Sequence, residues 1–134
     1  MNTYVPNRKV LYVDDEAHLL SSFVSLLRKE KVQTSVLHAS HQIEEVLKTQ
    51  GPFAAVFSDQ RMPVMDGVGV LETVSRIHPN TVRILMTGYS DYADTVRAIN
   101  TGGISHFIAK PWKDDELRAL VQESISKYNL VQLN

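Results

Sequence analysis

The sequence predicts an α/β domain built on one doubly wound, five-stranded parallel sheet with helices on both faces. Three observations carry the prediction. Five short apolar runs recur along the chain, segments of helical period fill the intervals between them, and the runs are apolar throughout rather than alternating. Strands covered on both faces have that character, and a repeated βα unit joins parallel strands by right-handed crossovers.

The first strand is Val10-Leu11-Tyr12-Val13, and the helix after it carries Leu20, Phe23, Val24 and Leu27 on one stripe. The second strand runs from Val32 to Leu37. Gly51-Pro52 punctuates the chain before the third, Phe53-Ala54-Ala55-Val56-Phe57, and Pro79-Asn80 before the fourth, Val82 to Met86. Ser90-Asp91 can cap the fourth helix, Gly102-Gly103 precedes a fifth strand from Ile104 to Ala109, and Leu117, Leu120, Val121 and Ile125 mark the last helix. Residues 1–7 read as an N-terminal tail, 8–129 as the domain, and 130–134 as a C-terminal tail or linker stub.

With 134 residues, 43% hydrophobic and 22% charged, the chain has material for one core and no second domain. A formal net charge of −1 and the lack of a basic stripe argue against direct nucleic-acid binding. The absence of cysteine excludes a disulfide framework, a thiolate metal site and a cysteine nucleophile, and it is compatible with a reducing compartment. No apolar stretch approaches the roughly 20 residues of a membrane span, so the expectation is a cytoplasmic protein without a membrane partner.

In an open parallel sheet the binding crevice lies at the carboxyl ends of the strands. There the sequence places Asp14-Asp15-Glu16 after the first strand, Asp59 after the third, Thr87 after the fourth and Lys110-Pro111 after the fifth. Clustered carboxylates repel one another, and a hard divalent cation, Mg²⁺ or Mn²⁺, is what such a set of oxygen donors suits. Lys110 and the Thr87 hydroxyl then offer a positive charge and a hydrogen-bond donor to a phosphoryl group at Asp59. Without a cation, crowding should raise at least one carboxylate's pKa, and Asp14→Asn should relieve the strain.

Val13-Asp14-Asp15-Glu16, Ser58-Asp59-Gln60-Arg61-Met62-Pro63-Val64-Met65-Asp66-Gly67, Met86-Thr87-Gly88 and Lys110-Pro111 together resemble the bacterial response-regulator receiver domain, from about Lys9 to about Tyr128. The resemblance implies a flavodoxin-like strand order, 2-1-3-4-5, and a signalling phosphoacceptor that catalyses only its own phosphorylation and dephosphorylation. It implies that Asp59 is the phosphorylated residue and that Asp14, Asp15, Asp59 and the main-chain carbonyl of Arg61 hold Mg²⁺, with Mn²⁺ as a substitute. Thr87 and Lys110 would contact the phosphoryl oxygens, with Lys110 aimed by a cis bond to Pro111. Thr87 and Phe107 take the switch positions, and the bulky Arg61 and Tyr89 sit where the family tunes access of water to the acyl phosphate. The implied partners are a sensor histidine kinase or phosphotransfer protein, and an effector domain or protein reached through the fourth helix, fifth strand and fifth helix; the family also allows a homodimer, but no pattern among Arg97, His106 and Arg118 fixes a partner or a dimer. The motif combination is similar to receivers fused to cyclic-dinucleotide phosphodiesterase domains or to transcription activators.

Singly, each residue has a bland reading. Acids beside a helix start stabilise it, Asp59 can be a turn residue, Lys110 a surface lysine, Thr87 a local turn bond and Phe107 an ordinary core residue. His38 and His41 suit a solvated loop better than a metal pair, and Trp112 suits packing at the start of the last helix. Among rival functions, a flavodoxin-like electron carrier needs a Gly/Ser/Thr-rich phosphate loop where the acids stand. A haloacid-dehalogenase-type phosphatase needs Asp-x-Asp there, and a receiver-like module that only binds partners usually lacks one of the acids or the lysine.

Overall fold

The computed structural model describes residues 4–88, 93, 96–97, 100 and 103–133. Its strands are β1 (Lys9–Val13), β2 (Gln33–Leu37), β3 (Ala55–Asp59), β4 (Val82–Thr87) and β5 (His106–Ala109), and its helices are α1 (Ala17–Leu27), α2 (Ile43–Gln50), α3 (Gly67–Ile77) and a C-terminal helix (Asp114–Leu133). All ladders are parallel, in the order β2-β1-β3-β4-β5. The strand order and fold class are those the sequence implies. Ala93, Val96, Arg97 and Asn100 are helical, while Tyr89, the Ser90-Asp91 cap and Gly102 lie outside the described residues.

The period of two along each strand divides the core into two layers. Val10 and Tyr12 of β1, Ala55 and Phe57 of β3, and Ile84 and Met86 of β4 pack with Leu20, Phe23 and Leu27 of α1 and with Leu117, Val121 and Ile125 of the C-terminal helix. Leu11, Val13, Val56 and Leu85 point the other way, onto Ile43 and Leu47 of α2 and Val70, Leu71 and Val74 of α3. Fully burying a side chain such as Phe23 is worth about 1.5–3 kcal/mol, so these two layers hold the helices on the sheet.

Apolar strands describe β1, β3 and β4 but not the edges. β2 exposes Gln33 and Val36, and β5 exposes Phe107 and Ala109, because an edge strand has a neighbour on one side only. β3 is displaced by two residues from the expected Phe53–Phe57. Phe53 and Ala54 stay buried ahead of the β3–β4 ladder: the Phe53 carbonyl accepts from Thr81 Oγ1 at 2.7 Å, and Ala54 N–H donates to the Lys9 carbonyl at 2.8 Å. Pairing with β4 then carries β3 on to Asp59, opposite Met86. At the chain ends, the Asn129 side chain accepts from the Tyr4 hydroxyl (2.5 Å) and Asn7 N–H (2.9 Å), and the helix continues through Leu130-Val131-Gln132-Leu133.

Candidate functional site

Three strands deliver the site by the same rule. The face of β1 that presents Tyr12 to the core next presents Asp14; on β3, Phe57 is followed by Asp59; on β5, Ile108 is followed by Lys110. Each polar group is therefore the first same-face residue beyond the apolar core, at one sheet edge. Lys110 Nζ bridges them, 3.1 Å from Asp14 Oδ2, 3.0 Å from Asp59 Oδ1 and 3.5 Å from Glu16 Oε2. Asp14 is wholly buried and Asp59 is 6% exposed, whereas Asp15 and Glu16 face solvent.

One carboxylate oxygen from each of Asp14, Asp15 and Asp59 lies within 4.8 Å of the others. All three donors are hard oxygens, and among the described residues no sulfur or imidazole joins the set, so it fits a Mg²⁺-type ion. Asp14 is fixed before any ion arrives. Its Oδ1 accepts from Glu16 N–H at 3.0 Å, and its Oδ2 accepts from the Tyr12 hydroxyl as well as from Lys110.

Burial pushes the Asp59 carboxyl up from its ordinary 3.8 to about 6; the Lys110 hydrogen bond opposes this and the Asp14 charge adds to it. The expected upward shift is found, but desolvation rather than crowding leads it. Burial alone would lower the Lys110 ammonium, yet its hydrogen bonds to Asp59 and Asp14 hold it above its ordinary value. Burial and the Asp14 carboxylate together push the Tyr12 hydroxyl far up, so it remains a donor.

The segment after Asp59 is held by residues to which the sequence reading gave no role. Gln60 is 1% exposed; its Oε1 accepts from Val68 N–H at 2.9 Å and its Nε2 donates to Asp66 Oδ2 at 3.2 Å. Asp66 caps α3 by accepting from Gly69 N–H at 2.9 Å, and it also pairs with Arg97 at 2.7 Å. Burial would raise the Asp66 carboxyl, but the Gly69 and Arg97 donors outweigh it and leave it below its ordinary value. Ser40 Oγ donates to the Met65 carbonyl at 2.6 Å. Gly67 admits no side chain, since a Cβ there would lie 2.3 Å from the Asp59 carbonyl oxygen and 2.9 Å from Gln60 Cα. Asp66-Gly67 before an apolar period was a legible capping signal; the buried Gln60 carboxamide gave none.

Of the other expected residues, Thr87 ends β4, and its carbonyl accepts from Lys110 N–H at 3.0 Å. Arg61 lines a cavity of about 260 Å³ together with Asp15, Glu16, Asp59, Gly88 and Lys110. A larger cavity, about 990 Å³, lies beside the acids between α1 and the C-terminal helix. Phe107 is 37% exposed, so it is not an ordinary core residue. Trp112 meets Tyr12 and Phe23 edge-on at 6.0 and 6.3 Å, the packing role expected of it. His38 and His41 are exposed. The Lys110–Pro111 bond is cis, as the resemblance implies, and so is Gly51–Pro52. No helix among the described residues is long and apolar enough to cross a membrane.

Comparison with known proteins gives the same picture. The profile of the response regulator receiver domain matches residues 10–122. The chain is 34% identical over 121 residues to the hydrogenase transcriptional regulatory protein HoxA of Bradyrhizobium diazoefficiens, covering 90% of this chain and 24% of HoxA. It is 31% identical over 116 residues to the DNA-binding transcriptional regulator NtrC of Klebsiella pneumoniae, covering 87% of this chain and 24% of NtrC. It thus spans about a quarter of the length of these curated relatives. The solved signal receiver domain of an HD domain-containing protein from Pseudomonas fluorescens Pf-5 matches with a TM-score of 0.89 at 26% identity, over 100% of this chain and 98% of that one. The acids and lysine stand at the strand ends that the motifs imply, and the profile runs from β1 into the C-terminal helix; the chain belongs to the response regulator receiver domain family of two-component systems.

Proposed function

We propose that this domain accepts a phosphoryl group on Asp59 from a histidine kinase or phosphotransfer protein, in a Mg²⁺-dependent reaction, and passes the change to an effector. The observation that carries the reading is Asp59 itself, at the end of the central strand, 3.0 Å from Lys110 Nζ and within reach of two further acids. An Asp59 oxygen attacks phosphorus, forming the acyl phosphate P–O bond while the donor's P–N bond breaks and its imidazole leaves. Lys110 turns from the Asp59 carboxylate to the incoming phosphoryl oxygens, joined by the Thr87 hydroxyl. Asp14, Asp15, Asp59 and the main-chain carbonyl of Arg61 would hold the Mg²⁺, which supplies positive charge against the acids and the transferring oxygens. Because little covalent work falls to the protein, small donors such as acetyl phosphate serve too, and the domain acts on no other substrate. Water later hydrolyses the acyl phosphate, and by the family resemblance the bulky side chains of Arg61 and Tyr89 slow it.

The effector is an attached domain or a separate partner on the face of the fourth helix, β5 and the C-terminal helix, where Val96 and Phe107 are 40% and 37% exposed. The relatives' transcriptional roles and the HD domain of the structural neighbour are two forms that an attached output takes elsewhere in the family. The proposed setting is cytoplasmic. Intact-mass spectra after incubation with acetyl phosphate test the reading: one phosphoryl adduct with Mg²⁺ and none with a chelator is expected, and equal adducts in both would remove the metal from the reaction.

A further inference from the structure

We infer that Tyr12 is a positioning residue for the acid cluster, its buried hydroxyl holding the Asp14 carboxylate in the orientation that binds the cation. The inference rests on the phosphoacceptor reading above and deepens it. Tyr12 on β1 and Asp14 just beyond its end are two residues apart and share a face, about 6.6 Å apart along the extended chain, a span that a tyrosine side chain crosses. The ring is wholly buried, 4.6 Å from Phe23 and edge-on to Trp112, within an apolar layer, and its hydroxyl reaches Asp14 at the edge of that layer. Packing at this place asks only for an apolar ring, so the hydroxyl is a surplus polar group, and it donates to Asp14 Oδ2.

The other two donors to Asp14 differ in kind. Lys110 is shared with Asp59 and Glu16, and it turns away when a phosphoryl group arrives; the Glu16 N–H reaches only Oδ1. Tyr12 meets Oδ2 from inside the core, on a ring that packing against Phe23 and Trp112 fixes. Removing such an outer hydrogen bond typically weakens a metal site by about 10–100-fold.

The test uses Mg²⁺ alone as the probe and two readouts: fluorescence of Trp112, the single tryptophan, and the Mg²⁺-dependent shift in melting temperature. In Tyr12→Phe the half-saturating Mg²⁺ concentration should rise about ten-fold or more. Phe23→Leu, which disturbs the same ring contact without touching an acid, should melt lower yet bind Mg²⁺ as the parent does. Wild-type Mg²⁺ binding with an unchanged or tighter Tyr12→Phe overturns the inference and leaves the phosphoacceptor reading intact. An equal loss in Phe23→Leu overturns it too, by making the effect one of packing. A wild type that binds no Mg²⁺ defeats both readings.

Discussion

Replacing Asp59 with asparagine should stabilise the metal-free domain at neutral pH, although the same change removes the carboxylate proposed to accept the phosphoryl group. The Asp59 carboxyl moves from an ordinary 3.8 to about 6, chiefly through burial, so folding favours its neutral form. Below about pH 4 both folded and unfolded chains carry the proton, and nothing is lost. Between pH 4 and 6 the folded state keeps a proton that the unfolded chain has released, so stability falls as pH rises; above 6 the deficit is complete. A shift from 3.8 to about 6 corresponds to about 3 kcal/mol as a ceiling, and solvent at the mouth of the site screens part of it, leaving about 1–2 kcal/mol. Asparagine keeps the shape and still accepts a hydrogen bond from Lys110, which retains Asp14 and Glu16 as charge partners. Thermal melts in chelator should therefore show Asp59→Asn about 3–8 °C above wild type at pH 8, with the gap closing by pH 4. A mutant no more stable at pH 8, or a gap independent of pH, would refute the claim that an ionised, desolvated Asp59 strains the fold.

Gly67→Ala should cost about 2–4 kcal/mol, because the new methyl meets the Asp59 carbonyl at 2.3 Å and Leu85 Cδ1 at 2.7 Å; an unchanged denaturation midpoint would contradict the close approach. Asp66→Ala should cost about 1–2 kcal/mol at neutral pH through loss of the α3 cap and the Arg97 pair. Since the Asp66 carboxyl is held below its ordinary value, that contribution is present above the unfolded pKa and fades as pH falls through the folded one, so denaturation of wild type and mutant should converge in acid. Arg61→Ala should shorten the aspartyl-phosphate lifetime at fixed Mg²⁺ by opening the cavity that Arg61 lines, and equal decay curves would remove Arg61 from that role.

The fold was legible wherever burial is complete on both sides. β1 and β3 read as apolar runs, and β4 as one interrupted by Arg83, because helices cover both faces, whereas β2 and β5 are edges whose exposed residues dilute the pattern. The limits of β3 were missed because Phe53 and Ala54 are as buried as the strand proper, and burial alone does not mark where a ladder begins. Asp14, Asp15, Asp59 and Lys110 were legible because each follows an apolar run and the motifs are dense. What holds them was not: the Gln60 carboxamide and the Tyr12 hydroxyl find their partners through side-chain bonds that only three dimensions reveal. Burial leads the upward shift at Asp59 and the Asp14 charge adds to it, so Asp59→Asn tests the strain more directly than Asp14→Asn does.

The central claim is that Asp59 carries the phosphoryl group. Wild type and Asp59→Asn, treated in parallel with acetyl phosphate and Mg²⁺ and analysed by intact-mass spectrometry with peptide mapping, test it most directly. The account predicts one adduct on the wild type, within the peptide that contains Asp59, and none on the mutant. An unmodified wild type, an adduct mapped elsewhere, or an undiminished adduct on Asp59→Asn would contradict it.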